Sequence, residues 1–232
     1  MIRTTLVVAA GLTLGLSASA QATIIVGGPA NPGVANVGNG NFEADSGGPL
    51  SFANVTNWHD IGGDDASTNF GHTTGMGGSP EPNSQGAFIF GHLAANDTGH
   101  TVAAAGEVFD IDFYLNRFGG GWVGDETVDV ILFTSTTGVN AATDVPDITV
   151  LDTTNFGIVS GWQNYTQDGI YTTVAGDVGD TIYVAFDITV PNQSNKFPRL
   201  DVITWEVTPV PEPATLVLMA CGLGMIATRR RK

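Results

Sequence analysis

The chain has 232 residues, 42% of them hydrophobic, and a formal net charge of -15, which is enough apolar sequence for one sizeable core. Between Glu43 and Glu206, 22 acidic residues stand against three basic ones, Arg117, Lys196 and Arg199. That net of -19 repels phosphates and excludes nucleic acid as a partner. The single cysteine, Cys221, lies near the C-terminus, so the rest of the chain has neither a disulfide nor thiol chemistry.

The N-terminus places one cation, Arg3, before an apolar stretch over residues 6–16. Small residues then follow in the pattern Ala18-Ser19-Ala20 or Ala20-Gln21-Ala22. This three-part order predicts a secretory signal peptide over residues 1–22, read by the secretion translocon, with the mature chain outside the cytoplasm.

A body over residues 23–208 follows, rich in Gly, Asn, Asp, Thr and Val and without a sustained period of 3.6. Short runs of β-branched and aromatic residues predict strands over 51–58, 86–91, 107–115, 127–134, 148–151, 162–173, 180–190 and 200–207. Residues 107–115 alternate, with Phe109, Ile111, Phe113 and Leu115 opposed to Val108, Asp110, Asp112 and Tyr114. Ile182, Val184, Phe186 and Ile188 share a face in the same way, so each strand is expected to bury one face. The polar, Gly-rich residues 62–86 are expected to form one long loop, and the Gly-rich 116–126 a hairpin loop. Eight or nine strands without βαβ alternation predict an all-β fold: a single antiparallel β-sandwich of jelly-roll type.

The chain ends with Pro211-Glu212-Pro213, an uncharged run over 214–228, and the cations Arg229, Arg230, Arg231 and Lys232. As a helix, 15 residues span about 22 Å, short of the ~30 Å hydrocarbon core. The flanking cations favour a cytoplasmic end, and their stems can extend the span. A short transmembrane helix over 214–228 is therefore expected.

Val210, Pro211, Glu212, Pro213, the apolar run and the basic end together resemble the PEP-CTERM sorting signal of Gram-negative bacteria that make exopolysaccharide. The resemblance covers residues 209–232. It implies an exosortase-type processing enzyme as partner, inner-membrane residence with a cytoplasmic C-terminus during transit, and delivery to the outer surface or extracellular matrix. On that reading Glu212 and the prolines are substrate features.

A second resemblance lies in the body. "GNGNFEADSGGPLSFANVTNWHD" (residues 38–60) and "PRLDVITWEV" (198–207) resemble the opening and the last strand of galactose-binding-like jelly rolls, among them carbohydrate-binding modules. The resemblance implies a structural calcium ion held by Glu43 and Asp201, with Asn41 and Asp45 as helpers. Hard oxygen donors of this kind suit Ca²⁺.

Catalytic motifs are sparse. His59, His72, His92 and His100 lack the spacing of a zinc helix, and no Gly-x-Ser-x-Gly elbow occurs. The pairs Asp64-Asp65, Asp110/Asp112 and Asp125/Glu126 have the chemistry for glycoside hydrolysis, but solvated surface is the expected role in so acidic a chain. Of the four tryptophans, Trp58 and Trp205 fall in expected strands and should be interior. Trp122, on a Gly-rich loop, is the candidate ligand-binding residue for a sugar ring. The reading is a non-enzymatic surface or matrix protein with a structural or adhesive body. A carbohydrate-binding module for exopolysaccharide is the alternative, and a secreted glycoside hydrolase stands behind both.

Overall fold

The structure, a computed structural model, describes residues 20–28, 36–45, 50–51, 55–61, 71–73, 80, 85–88, 93–118, 122, 124, 126–139, 147–189 and 198–210. The signal peptide expected over 1–22 lies almost wholly outside these residues, and the apolar run 214–228 entirely so. No helix among the described residues is long and apolar enough to cross a membrane. Gln21–Val210 form one compact unit.

Twelve strands are described: β1 (Thr23–Val26), β2 (Leu50–Ser51), β3 (Trp58–Ile61), β4 (Gly71–Thr73), β5 (Gly86–Phe88), β6 (Leu93–Thr101), β7 (Val108–Asn116), β8 (Thr127–Ser135), β9 (Ile148–Gly157), β10 (Gln163–Thr172), β11 (Thr181–Thr189) and β12 (Arg199–Thr208). They form an all-β antiparallel sandwich, as the alternation predicts. One sheet runs β10-β7-β12-β5-β4-β2, with β1 also on β12, and the other β3-β6-β11-β8-β9.

The core lies between the sheets and follows from period-2 alternation. Phe109, Ile111, Phe113 and Leu115 of β7 are buried, as are Val128, Val130 and Leu132 of β8, Ile182, Val184 and Phe186 of β11, and Leu200, Ile203, Trp205 and Val207 of β12. Phe113 joins the layers. It stacks on Tyr165 of its own sheet at 5.4 Å and meets Phe156 and Phe186 of the other edge-on at 5.1 and 5.3 Å. Burying each such ring contributes roughly 2–3 kcal/mol.

Several expectations are corrected. The five-stranded sheet buries both faces: Ile61, Ala95, Phe133, Tyr183 and Ala185 form a second apolar cluster, with Leu93, Ile131, Val139 and Ile148 packed against it. Residues 116–126 are not a hairpin, because β7 and β8 belong to different sheets and the segment connects one layer to the other. Within 62–86, Gly71–Thr73 pairs with both β5 and β2. The strand expected over 51–58 is interrupted by a turn at 55–57, where Asn57 has a φ of 65°. β6 and β1 have no counterpart among the expected strands, and β9 runs six residues beyond residue 151.

β12 is the organising strand. One side pairs with β7 along most of its length; the other pairs with β5 at Arg199 and Leu200 and with β1 at Trp205–Val207. Between them, the register against β7 shifts at Asp201/Thr204, and Val202 takes a φ of 49°. The turn through Asn39, Gly40 and Asn41 docks there, with the Ile203 amide donating to the Gly40 carbonyl at 2.8 Å. A β-carbon on Gly40 would clash with the Ile203 carbonyl oxygen and stand 2.8 Å from Gly27 Cα. Only glycine allows this approach. Phe42, buried completely just beyond it, packs on Trp58 at 5.0 Å between ring centroids.

Candidate functional site

The end of the seven-stranded sheet brings together two of the body's three cations, Arg117 and Arg199. Arg199 opens β12 and stands opposite Asn116, the last residue of β7. The chain leaves β7 through Arg117 and Phe118 and is held by the Arg117 amide donating to the Val159 carbonyl at 3.2 Å. Trp122 folds back, its Nε1 donating to the Phe118 carbonyl at 3.2 Å. Two guanidinium–ring contacts result: Arg199 lies 3.5 Å above the Phe118 centroid, and Arg117 lies 5.6 Å from that of Trp122.

The electrostatics of the two arginines differ. Arg117 Nη2 lies 3.9 Å from Glu126 Oε2, a long pair to a carboxylate that also accepts from the Gly124 amide at 2.8 Å. Arg199 has no carboxylate within ion-pair distance among the described residues, and burial pulls its pKa below the ordinary arginine value. The Nε atoms of both are buried without a hydrogen-bond partner among the described residues. Phe118 is 48% exposed, whereas Trp122 is half-buried and packs partly against the core. Trp122, the aromatic expected to bind a ligand, is therefore one wall of a rim whose most open ring is Phe118. As expected, Trp58 and Trp205 are interior, at 1% and 0% exposure.

A second feature is a depression of about 200 Å³ on the outer face of the same sheet, lined by Asp110, Asp112, Thr166, Asp168, Thr204 and Glu206. Asp112 Oδ2 accepts from Asn164 Nδ2 at 3.0 Å and from Thr166 Oγ1 at 2.7 Å; Asp110 Oδ1 accepts from the Gly169 amide at 2.6 Å. These carboxylates are tied to their own sheet. Glu126, expected at the surface, is buried; Asp64, Asp65 and Asp125 lie outside the described residues.

The four residues assigned to calcium lie near the seam where residue 40 meets β12. Asn41 and Asp201 are completely buried, and each flanks the Gly40–Ile203 hydrogen bond within two residues. Glu43 Oε1 accepts from the Gln85 amide at 2.6 Å, and Asp201 Oδ1 from the Val202 amide at 2.8 Å. Asp45 is engaged at both oxygens: Oδ1 by Thr56 Oγ1, and Oδ2 by the Thr56 amide and Asn39 Nδ2. Among the described residues, no group of three or more His, Cys, Asp or Glu is placed to hold a metal.

Sequence reasoning also missed a buried polar network. Glu107, 2% exposed, meets His100 Nε2 at 2.8 Å and accepts from the Ala103 and Ala104 amides at 2.9 and 3.3 Å. It closes the loop between β6 and β7. The seven-residue separation of His100 and Glu107 matches no motif, so only their pairing across the turn reveals them.

Comparison with known proteins agrees with both halves of this picture. Residues 209–232 match the family described as the PEP-CTERM protein-sorting motif. No curated protein matches the chain in sequence. A cyclase from Fischerella sp. TAU superimposes with a TM-score of 0.53 at 13% identity, over 83% of this chain and all of that one. Structural neighbours include carbohydrate-binding modules. TmCBM61 in complex with β-1,4-galactotriose gives a TM-score of 0.41 at 13% identity, over 72% of this chain and 94% of that one. The CBM22-1 and GH10 modules of a Clostridium thermocellum xylanase, complexed with xylohexaose, give 0.41 at 12% identity over 68% of this chain. This chain spans about a quarter, 26%, of that xylanase chain. At such identities the likeness to the cyclase speaks for the fold alone. The described residues thus form an all-β sandwich, and residues 209–232 carry a PEP-CTERM sorting motif.

Proposed function

We propose that the protein is an exported, exosortase-sorted component of the cell surface or extracellular matrix, with a non-enzymatic β-sandwich that serves structure or adhesion. The observation that carries this reading is the sorting motif at 209–232, directly behind the last strand of the sandwich. The apolar run 214–228 holds the chain in the inner membrane during transit, with the four terminal cations on the cytoplasmic side. The non-enzymatic reading draws support from carboxylates that are hydrogen-bonded into their own scaffold, as at Asp110 and Asp112. The test follows processing and location of the wild-type chain, Glu212→Ala and a chain lacking residues 209–232, in cells with and without exosortase. Loss of processing in either altered chain or in exosortase-deficient cells supports the route; unchanged processing and location throughout refute it. New reducing ends on polysaccharide, abolished by Asp112→Asn, would overturn the non-enzymatic reading.

A second reading, carbohydrate binding, is favoured by the exposed Phe118 ring and its stacked guanidinium. In this reading the rim of Arg117, Phe118, Trp122 and Arg199 contacts exopolysaccharide. Calcium is a separate matter. Both Asp45 oxygens and the single Asn41 side-chain oxygen already accept hydrogen bonds, so Glu43 and Asp201 are the carboxylates for an ion that would tie the chain ends together. Thermal unfolding in calcium and in EGTA tests this: identical midpoints count against a structural ion.

A further inference from the structure

We infer that the rim formed by Arg117, Phe118, Trp122 and Arg199 selects a carboxylate-bearing sugar, a uronate unit of an acidic polysaccharide. The inference rests on the carbohydrate-binding reading and names the ligand class.

Its starting point is Arg199. In a body with 22 acidic residues against three basic ones, a guanidinium should find a carboxylate by chance alone. Arg199 has none within ion-pair distance among the described residues, although it is half-buried and its Nε is out of contact with water. A desolvated charge with no carboxylate partner among the described residues is costly, and an incoming anion would reduce that cost. The guanidinium uses its face on Phe118, 3.5 Å from the centroid. Arginine grips a carboxylate not with that face but with the N–H groups at its edge, through two parallel hydrogen bonds. Arg117, one residue beyond Asn116 on the neighbouring strand, adds a second cation whose pair with Glu126 is long at 3.9 Å.

The aromatic partners point to a sugar as the carrier of the carboxylate. Phe118 is 48% exposed beside the half-buried Trp122, and exposed rings next to polar donors suit the C–H face of a pyranose. The ligand is expected to be short or locally engaged, because the net charge of -19 repels a long polyanion beyond the rim.

The test is isothermal titration calorimetry of the full-length protein in detergent with a galacturonate trisaccharide and its neutral galactose counterpart. The expected result is at least about tenfold tighter binding of the acidic sugar, the scale of a charge-assisted hydrogen-bonded pair. Arg199→Gln should remove that preference, bringing the acidic sugar down to the affinity of the neutral one. Arg199→Lys, which keeps the charge without the fork, should fall between. Phe118→Ala, at an exposed position that leaves the fold intact, should weaken both sugars. Equal affinities, or a preference that survives Arg199→Gln, overturn acid selection while sparing the carbohydrate-binding reading. No binding of either sugar overturns both. Tighter binding of an oligoglutamate than of galacturonate also overturns the inference, since the carboxylate would then be recognised on a peptide. Circular dichroism on each variant separates lost contacts from lost structure.

Discussion

Gly40→Ala is the sharpest test of how the N-terminal turn is attached. The added methyl would clash with the Ile203 carbonyl and sit 2.8 and 2.9 Å from Gly27 Cα and N. All of these are backbone atoms, so no side-chain rotation relieves the contact. The turn must retreat, and the 2.8 Å bond from the Ile203 amide to the Gly40 carbonyl is lost. A buried amide left without its partner costs about 1–3 kcal/mol. Overpacking and loosening of the Phe42–Trp58 contact add about 1–2 kcal/mol. The sum, about 2–5 kcal/mol, should lower the melting temperature of a domain this size by roughly 10 °C. Urea unfolding followed by tryptophan fluorescence reads the change, because Trp58 lies beside the displaced turn. Gly157→Ala is the control: nothing lies within 4 Å of its added methyl, and it should change stability by less than about 0.5 kcal/mol. A Gly40→Ala protein as stable as wild type, or a Gly157→Ala protein equally damaged, would refute the reasoning.

Val202→Asn should stabilise by about 1 kcal/mol, since a β-branched residue at a φ of 49° is strained where asparagine is tolerated; a lowered melting temperature contradicts this. Glu107→Leu should cost about 3 kcal/mol by stranding the Ala103 and Ala104 amides, whereas Glu107→Gln should cost less; a Glu107→Leu denaturation midpoint equal to wild type would show that the network is dispensable. The Tyr171 pKa is pushed from 10.0 up to about 12, first by burial and then by its hydrogen bond to Asp177. Because the folded value is the higher one, this contribution is complete below pH 10 and is lost as pH rises from 10 through about 12. Tyr171→Phe should therefore flatten the fall of melting temperature over that range, and a slope identical to wild type would count against it.

The features legible in the sequence are those written in contiguous residues. Phe109, Ile111, Phe113 and Leu115 alternate with polar neighbours, so β7 and its buried face follow from period alone. Pro211-Glu212-Pro213, the apolar run and the basic end are adjacent, so the sorting motif is legible without a fold. β6 is different: Leu93–Thr101 is built of small and polar residues with little strand preference, and it becomes a central strand because β3 and β11 pair with its two edges. β9 likewise continues through Asp152–Gly157 because β8 supplies a ladder partner for each step. The rim was half visible. Trp122 stands out as an aromatic on a Gly-rich loop, but Arg199 reaches Phe118 only because β12 lies beside β7 and sets Arg199 opposite Asn116. Local periodicity is a property of neighbouring side chains, whereas the pairing of distant strands is chosen by the whole core at once. Tertiary structure alone therefore decided which scarce cations meet which exposed ring.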